Sequence, residues 1–258
     1  MKQPLKNKIA LVTGGAGGIG EGICKKLAEE GASIIITYNS NAERAENLAK
    51  ILRGQNHSVF HAPTTDFEKV NALAEFVKEK YGKLDILVNN AGITTPVPHG
   101  DLDGLTDEWI DKIMQTNFRG TFAMIRAFKD LLEIAYNEAT DTQNQASLVV
   151  NISSVAGTIG IGSNVAYCAS KAAIDSMGRS LGRALAPKIR VVSVSPGFVE
   201  GEYAKSFPAD FLKMQMDATP LSRFATPEDV ANTVFALTTY LTFTTGSIIP
   251  VEGGRSLK

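Results

Sequence analysis

Cysteine and histidine are scarce in this chain of 258 residues, which holds two of the first and three of the second. Cys24 and Cys168 cannot form a disulfide framework, and their spacing fits no zinc-binding motif. Histidines, cysteines and carboxylates are not clustered at the spacing of metal ligands either. We therefore expect no metal site and a reducing compartment, with the cytoplasm as the default location.

Long apolar runs and an excess of charge of one sign are also missing. No run approaches the roughly 18 residues that a membrane span needs. The apolar run near the start, Ile9–Val12, is too short for the core of a signal peptide. The 26 Lys and Arg residues nearly balance the 27 Asp and Glu residues, so the charge favours neither nucleic acid nor an anionic membrane as a partner. We expect a soluble protein.

Short runs rich in valine and isoleucine are present instead, and they predict strands. Several of them are continuous rather than alternating in apolar residues, which is typical of strands buried on both faces of a parallel sheet. Segments of helical periodicity lie between them, so the pattern predicts a doubly wound α/β sheet of about seven strands with helices on both faces. No linker or repeat interrupts the chain, and residues 1–258 are expected to form a single domain. The predicted strands are Ile9–Thr13, Ser33–Tyr38, Ser58–Ala62, Ile86–Asn89, Leu148–Ile152, Val191–Ser195 and Ser247–Val251.

Helix starts and one loop can be placed from local signals. Thr106 precedes two acidic residues, and Thr226 is followed by Pro227 at what would be the first helical position. Both patterns predict a helix N-terminus. The polar stretch Tyr136–Gln145 predicts a surface loop after a long helix.

The first predicted strand leads directly into a glycine-rich turn, Thr13–Gly20. Glycine lets the backbone turn sharply, lets a phosphate approach closely and lets the next helix pack against the strand. The start of that helix offers free N–H groups and a positive dipole end to a pyrophosphate. The position between a strand and an amphipathic helix favours a dinucleotide site over a merely flexible turn.

The spacing in this turn is Thr-Gly-x-x-x-Gly-x-Gly, with Gly14, Gly18 and Gly20 in the fixed places, and it resembles the short-chain dehydrogenase/reductase family. Further motifs of the family follow in the same order over essentially the whole chain. They are Asp66 after the third strand, Asn89-Asn90-Ala91-Gly92 after the fourth, Asn117 in a Thr-Asn-Phe-x-Gly segment, Ser153-Ser154 after the fifth, Tyr167-x-x-x-Lys171, Pro196-Gly197 after the sixth and Gly253-Gly254 after the seventh.

The resemblance implies a single Rossmann-like domain and an NAD(P)-dependent oxidoreductase. Such an enzyme reduces a carbonyl to a secondary alcohol or catalyses the reverse reaction. The pattern is most similar to that of 3-oxoacyl-acyl-carrier-protein reductases and of polyketide ketone reductases. The alternative is a dinucleotide-binding regulator without catalysis, because a fold does not fix a function. The four residues that the resemblance implies to be catalytic, Asn117, Ser154, Tyr167 and Lys171, are all present, which favours the enzyme.

Tyr167 and Lys171 are four residues apart, so on a helix they share one face. The ordinary pKa of tyrosine lies near 10, and a neighbouring ammonium group is expected to lower the pKa of Tyr167 toward the range of a general acid and base. In isolation this spacing would more simply indicate an ordinary helix. The glycine turn and Ser154 at the family's spacing favour a catalytic pair.

Three further roles complete the predicted catalytic group. Ser154 is expected to hydrogen-bond the substrate oxygen, with Ser153 as the competing choice. The resemblance implies that Asn117 supports a proton relay through water and that Lys171 also holds the nicotinamide ribose. A Ser/His/Asp hydrolase is the rival interpretation of Ser154, but no nucleophile elbow surrounds that serine.

The choice between NADP and NAD depends on the end of the second strand. An acidic residue about 20 positions after the glycines would favour NAD. Here Tyr38-Asn39-Ser40 stands at the strand end, and Arg44 can add positive charge, so NADP(H) is favoured over NAD(H). Gly17 points the other way, since many NADP-using relatives carry arginine in the glycine turn. The predicted cofactor residues are Gly14, Gly18, Ile19, Gly20, Tyr38, Asn39, Ser40, Asp66, Phe67, Asn90, Ala91, Gly92, Tyr167, Lys171, Pro196, Gly197 and Val199.

The segment of about residues 198–217 is where the family builds its substrate lid. Its many apolar residues predict either an apolar pocket or packing on the core. Gly201 stands where the family usually has a threonine that touches the cofactor, which makes that contact doubtful. The substrate is expected to be a small carbonyl or alcohol or an acyl-carrier thioester, which would need a basic entrance. The resemblance also implies a homotetramer formed through the segments around Asp107–Ala135 and Val165–Ala186.

Overall fold

A seven-stranded parallel sheet lies at the centre of the computed structural model, which describes residues 3–137 and 146–257. The strand order is β3-β2-β1-β4-β5-β6-β7, so the chain starts in the middle and winds outward to each edge. The winding reverses between β1 and β4, which opens a crevice at their carboxyl ends. The strands are β1 Ile9–Val12, β2 Ser33–Tyr38, β3 Ser58–His61, β4 Ile86–Asn89, β5 Ser147–Ile152, β6 Ile189–Pro196 and β7 Ile248–Val251.

Ten α-helices, one π-helical segment and one 3₁₀ turn occur in the described residues. The π-helical segment, Met114–Gly120, joins α4 to α5 without a break, and the 3₁₀ turn is Arg255–Leu257. The helices are α1 Gly18–Glu29, α2 Ala42–Ile51, α3 Phe67–Tyr81, α4 Asp107–Ile113, α5 Thr121–Asn137, α6 Ala156–Ile159, α7 Val165–Ala184, α8 Glu202–Lys205, α9 Ala209–Asp217 and α10 Pro227–Thr239.

Both faces of the sheet are covered by helices, which confirms the predicted fold class. Alternate residues of β1 face opposite cores: Ala10 and Val12 pack with α1, α2 and α10, while Ile9 and Leu11 pack with α3, α5 and α7. All four residues of β1 are buried. This explains the continuous apolar runs in the sequence, because a strand covered on both faces has no solvent side.

The predicted helix starts are confirmed in atomic detail. The Thr106 hydroxyl accepts a hydrogen bond from the backbone of Trp109 at 3.4 Å. Thr226 and Asp229 form a reciprocal capping box, with Pro227 in the first turn. The polar stretch after the long helix begins later than predicted, because α5 runs on to Asn137. The rest of that predicted loop, residues 138–145, lies outside the described residues.

Five of the seven strands differ from prediction by one or two residues at an end: β3 ends at His61, β5 begins at Ser147, β7 begins at Ile248, and β1 and β6 differ as follows. β1 ends at Val12, because Thr13 uses its side chain to hold the loop after β4. β6 is longer than predicted and begins at Ile189, where it continues the pairing with β5.

No helix within residues 3–137 and 146–257 is long and apolar enough to cross a membrane. Over the same ranges, no group of three or more potential metal-ligating side chains is found.

Candidate active site

The motifs that stood far apart in the sequence meet at the carboxyl ends of the central strands. Parallel strands end at the same edge of a sheet, so their following loops share one crevice. Each of the four central strands contributes one loop. These loops are the glycine turn after β1, Asn90–Gly92 after β4, Ser153–Ser154 after β5 and Gly197–Val199 after β6.

The glycine turn and the loop after β4 are locked together by hydrogen bonds. The Thr13 hydroxyl accepts from the backbone N–H groups of Asn90 and Ala91, both at 3.0 Å. The Asn90 side-chain amide donates to the carbonyls of Thr13 at 3.0 Å and Gly14 at 3.1 Å. A Cβ on Gly20 would lie 2.5 Å from the Gly14 carbonyl oxygen, so only glycine lets α1 start this close to the turn.

The start of α1 fits the pyrophosphate of a dinucleotide. Its N-cap residue is Gly17, which has no side chain to accept a hydrogen bond from the first turn. By contrast α2, α3, α4, α7 and α10 each carry a side-chain cap. Gly18 is exposed, has a φ of +51° and would have no atom within 4 Å of an added Cβ. The N–H groups of α1 therefore face open space that suits an anion.

The end of β2 and the N-terminal cap of α3 carry four of the predicted cofactor residues. The ring of Tyr38 stacks on His61 with centroids 5.2 Å apart, while Asn39 and Ser40 are exposed. The Asp66 carboxylate accepts from the Lys69 backbone at 3.1 Å and so caps α3.

The remaining predicted cofactor residues also have defined local contacts. The Arg119 guanidinium lies 4.9 Å from the centre of the Phe67 ring. Ile19 and Val199 are half-buried and pack on the core beside α1. The Pro196 carbonyl accepts from the Val155 backbone at 2.9 Å, and the Gly197 N–H donates to Val251 at 3.0 Å.

The two serines after β5 have different surroundings, as predicted. Ser153 is 3% exposed, and its hydroxyl donates to the Lys171 carbonyl at 3.3 Å. Ser154 is half-buried and hydrogen-bonds with the Tyr167 side chain. The Asn164 carboxamide caps α7 by accepting from the Tyr167 backbone at 2.7 Å, which fixes where that tyrosine enters the helix. Ser154 is therefore the serine that faces Tyr167, the predicted catalytic tyrosine.

The predicted lowering of the Tyr167 pKa by Lys171 is wrong for this structure. Burial raises the pKa of Tyr167 to about 12, and the hydrogen bond with Ser154 only partly opposes that rise. The Lys171 ammonium lies 5.6 Å from the centre of the Tyr167 ring and donates to the Ile152 carbonyl at 2.8 Å instead. Tyr167 is therefore a protonated phenol at neutral pH.

Lys171 itself is strongly perturbed. Its side chain lies inside the protein with 5% of the residue exposed. Burial lowers the pKa of Lys171 to about 8, against the negative charge of Asp175 one helical turn further on. A Cβ on Gly92 would lie 3.7 Å from the ammonium nitrogen, so the floor of the crevice reaches this lysine. Asp175 is a charged neighbour that motif reasoning missed, although its position four residues after Lys171 was a usable signal.

Asn117 lies in the π-helical segment and is fully buried. Its side chain accepts from the Ile93 backbone at 2.8 Å and donates to the Ile93 carbonyl at 3.1 Å and to the Ser170 hydroxyl at 3.0 Å. The Thr121 hydroxyl donates to the Asn117 carbonyl at 2.6 Å. The asparagine thus ties the loop after β4 to the helix that carries Tyr167 and Lys171. The π-helical turn itself, a feature often found at functional sites, was not predicted.

The segment predicted as a lid forms an aromatic cluster. Phe198 contacts Phe224 with ring centroids 4.7 Å apart, and Phe207 stacks on Phe211 at 4.9 Å. These rings therefore pack on one another, while Met214 is 55% exposed. Phe198, Phe207 and Phe211 are half-buried and belong to neither core cluster, so the choice between an apolar pocket and packing on the core stays a prediction.

Three hydroxyl-bearing residues near the predicted catalytic tyrosine were missed from the sequence. The hydroxyls of Thr94 and Ser163 are hydrogen-bonded to each other. Tyr203 of α8 interacts with Ser163 and lies close enough to Tyr167 to contribute to the rise in the pKa of Tyr167. No spacing motif connects these residues, because Thr94 and Ser163 come from two separate loops and Tyr203 from α8.

Comparisons with known proteins agree with this geometry. A family model described as enoyl-(acyl carrier protein) reductase matches residues 14–256. A protein assigned as ketoacyl reductase 2 of the granaticin polyketide synthase of Streptomyces violaceoruber is 34% identical over 251 residues, covering 96% of each chain. The 3-oxoacyl-[acyl-carrier-protein] reductase of Staphylococcus aureus is 33% identical over 257 residues, covering 96% of this chain and 97% of that protein.

A solved structure is also similar over nearly the full length. The 3-ketoacyl-(acyl-carrier-protein) reductase of Brucella melitensis, in complex with NADH, superposes with a TM-score of 0.86 at 31% identity, covering 98% of this chain and 99% of that chain. The similar proteins are enzymes, and the alternative of a regulator without catalysis loses its support. The chain belongs to the short-chain dehydrogenase/reductase family and is an NAD(P)-dependent oxidoreductase.

Proposed function

We propose that the protein reduces a ketone to a secondary alcohol, or catalyses the reverse, with Tyr167 as the general acid and base. The observation that carries the proposal is the grouping of Ser154, Tyr167 and Lys171 at one crevice beside the glycine turn. Ser154 would orient and polarise the carbonyl oxygen, and Lys171 would hold the ribose hydroxyls. NAD(P)H, when bound, supplies the hydride.

The raised pKa of Tyr167 suits the reductive direction. A phenol that keeps its proton at neutral pH can donate it from Oη to the carbonyl oxygen as that oxygen gains negative charge. The Lys171 ammonium, with a pKa of about 8, is still mostly protonated at neutral pH, so it keeps its N–H donors for the ribose hydroxyls. We propose that Asn117 supports the return of a proton by fixing the loop at Ile93 and the helix at Ser170.

We propose NADP(H) as the preferred cofactor, bound by the residues predicted from the sequence. The exposed end of β2 presents Asn39 and Ser40 rather than a carboxylate that would repel a 2′-phosphate. Arg44 supports the same choice, because a Cβ on Gly17 would lie 3.2 Å from its guanidinium carbon. The Arg44 guanidinium thus lies next to the position where the side chain of an arginine at residue 17 would begin.

A 3-oxoacyl thioester is the substrate that we propose first. Both similar curated proteins carry names of ketoacyl reductases, and the lid segment is rich in aromatic residues. Lys129 and Lys188 do not supply the basic entrance that such a substrate would need. Both pair with Glu133, at 2.7 and 2.8 Å, and Lys188 directly precedes β6, at the end of the strands opposite the crevice.

A smaller polar ketone or sugar is the second candidate. The hydroxyls of Thr94, Ser163 and Tyr203 beside Tyr167 could hydrogen-bond a substrate that carries hydroxyl groups. A panel of ketones therefore has to include both classes.

The remaining proposals concern the whole chain. We propose that residues 1–258 act as one domain with a lid at about 198–217, in the cytoplasm, where the thiols of Cys24 and Cys168 stay free. We also propose a homotetramer. On α5, Phe122 is 40% exposed and Ile134 is 36% exposed, so this helix presents apolar side chains on its outer face.

The test is turnover of NADPH and NADH against a panel with a 3-oxoacyl thioester, a small aliphatic ketone and a ketose. We expect NADPH turnover on at least one member and a fall of about 10²–10⁴-fold in Tyr167→Phe. Tyr240→Phe is the matched control, because Tyr240 is 75% exposed and lies after α10. Equal turnover in wild type and Tyr167→Phe would contradict the catalytic role, and tighter binding of NADH than NADPH would contradict the cofactor choice.

A further inference from the structure

Arg44, in the first turn of α2, connects three elements around the glycine turn. Its guanidinium lies 3.3 Å from the Glu202 carboxylate of α8 and 3.5 Å from the Glu21 carboxylate of α1. The pair with Glu202 spans 158 residues of sequence and is the contact through which the start of the lid segment meets α2. The Glu202 side chain is 82% exposed.

The same guanidinium borders the predicted cofactor site. It lies beside Gly17, the N-cap residue of α1. A Cβ added to Gly17 would be 3.2 Å from the Arg44 guanidinium carbon. Arg44 lies between the end of β2 and this turn, so it could bind a 2′-phosphate there as a bidentate donor. The lid carboxylate and the phosphate would then compete for one side chain.

The charges around Arg44 favour replacement of Glu202 by the phosphate over binding of both partners at once. Lys25 and Arg44 are positive, Glu21 and Glu202 are negative, and Lys25 pairs with Glu21 at 2.7 Å. With Glu202 in place the group is neutral, and without it the group carries one positive charge. An exposed ion pair changes an equilibrium by less than about fivefold, whereas a bidentate arginine–phosphate contact is stronger.

Release of Glu202 would also affect the substrate side of the site, because the next residue in the chain contacts side chains there. Tyr203 follows directly, contacts Phe207 with ring centroids 5.2 Å apart and interacts with Ser163 near Tyr167. The position of α8 therefore affects both the cofactor side and the substrate side of the crevice.

We propose that Arg44 is a specificity-determining residue with two alternative partners, the Glu202 carboxylate of the lid and the 2′-phosphate of NADP(H). Binding of NADP(H) displaces Glu202 and loosens α8, and binding of NAD(H) leaves the pair intact. This inference rests on the proposed function, because it requires that the protein bind a nicotinamide cofactor at the glycine turn.

The first measurement is the dissociation constant of NADPH and NADH for the full chain, by titration calorimetry at fixed salt. We expect Arg44→Gln to weaken NADPH about tenfold or more and to leave NADH unchanged. Glu202→Gln should tighten NADPH by about two- to fivefold, because the competing carboxylate is gone, and should leave NADH unchanged. Glu200→Gln is the matched control, since it removes the same charge from the same exposed segment without contacting Arg44.

The second measurement reports on the lid rather than on affinity. Trypsin cleavage after Lys205, an exposed residue at the end of α8, is followed with saturating NADP⁺ and with saturating NAD⁺. The two cofactors differ chemically only in the 2′-phosphate, so a difference between them reports that group. We expect cleavage about threefold faster with NADP⁺ in the wild type, and equal rates in Glu202→Gln.

The outcomes separate this inference from the proposed function. Ketone turnover with NADPH, together with a Glu202→Gln variant that binds both cofactors like the wild type, would overturn the exchange and leave the oxidoreductase proposal standing. Equal cleavage rates with the two cofactors in the wild type would do the same. Failure to bind either cofactor would overturn both.

Discussion

At the scale of single residues, the most unusual group in the site is the buried ammonium of Lys171. Burial lowers its pKa to about 8 from an ordinary value of 10.5. Below pH 8 the folded protein must hold a charge that the unfolded chain exposes to water, which costs stability. Between about pH 8 and 10.5 the folded protein has released the proton and the unfolded chain has not, so stability rises with pH in that window.

This sign leads to a prediction for Lys171→Met. The variant lacks the titrating group, so the wild type should gain about 2 kcal/mol of unfolding free energy relative to the variant between pH 7 and pH 9.5. Denaturant unfolding at the two pH values measures the gain. Lys78→Met, which removes an exposed ammonium, is the control and should follow the wild type. A constant difference between wild type and Lys171→Met would show that Lys171 is not perturbed.

At the scale of elements, the junction between the glycine turn and α1 is the tightest contact in the site. A Cβ on Gly20 would lie 2.5 Å from the Gly14 carbonyl oxygen and 2.7 Å from the Asn90 side-chain nitrogen. Gly20→Ala should therefore push α1 away from the turn, at a cost of about 1–3 kcal/mol, and weaken the binding of both cofactors.

The control for that variant is a glycine without neighbours. Gly18 has no atom within 4 Å of an added Cβ, and asparagine tolerates its φ of +51°. Gly18→Asn should keep the melting temperature within a few degrees and weaken only cofactor binding. If Gly20→Ala melted like the wild type, the close approach at the turn would be contradicted.

Strands and helix starts could be predicted from the sequence more accurately than the contacts and pKa values of single side chains. All seven strands were found, because each is a short apolar run that both cores require, and the cap at Thr226 is a local signal. The pairing of Arg44 with Glu202 and the raised pKa of Tyr167 were beyond reach. Both depend on how loops fold over the crevice, and neither Tyr203 nor Glu202 lies at a motif spacing that would reveal its position.

At the scale of the whole molecule, the topology explains why residues from position 13 to position 199 meet at one crevice. The strand order places β1, β4, β5 and β6 side by side, so four loops from distant parts of the sequence end at the same crevice. The helices cover both faces of the sheet, and α1 and α7 also bring predicted site residues to this edge. Exposed side chains of α5 and α7 are available for contacts between subunits.

The exposed faces of α5 and α7 lead to the last prediction. On α7 the outward positions include Ala169, Ala172 and Ser176, small residues that let another helix approach closely, and on α5 Phe122 is 40% exposed. A tetramer would sediment at four times the chain mass of 27.6 kDa. Phe122→Lys should shift the sedimenting species to a smaller assembly, because it would bury a charge at the contact. Ile51→Lys, at a residue of α2 that is 69% exposed, should stay a tetramer. A monomer in the wild type would contradict the assembly, and a tetrameric Phe122→Lys would exclude this face of α5 from it.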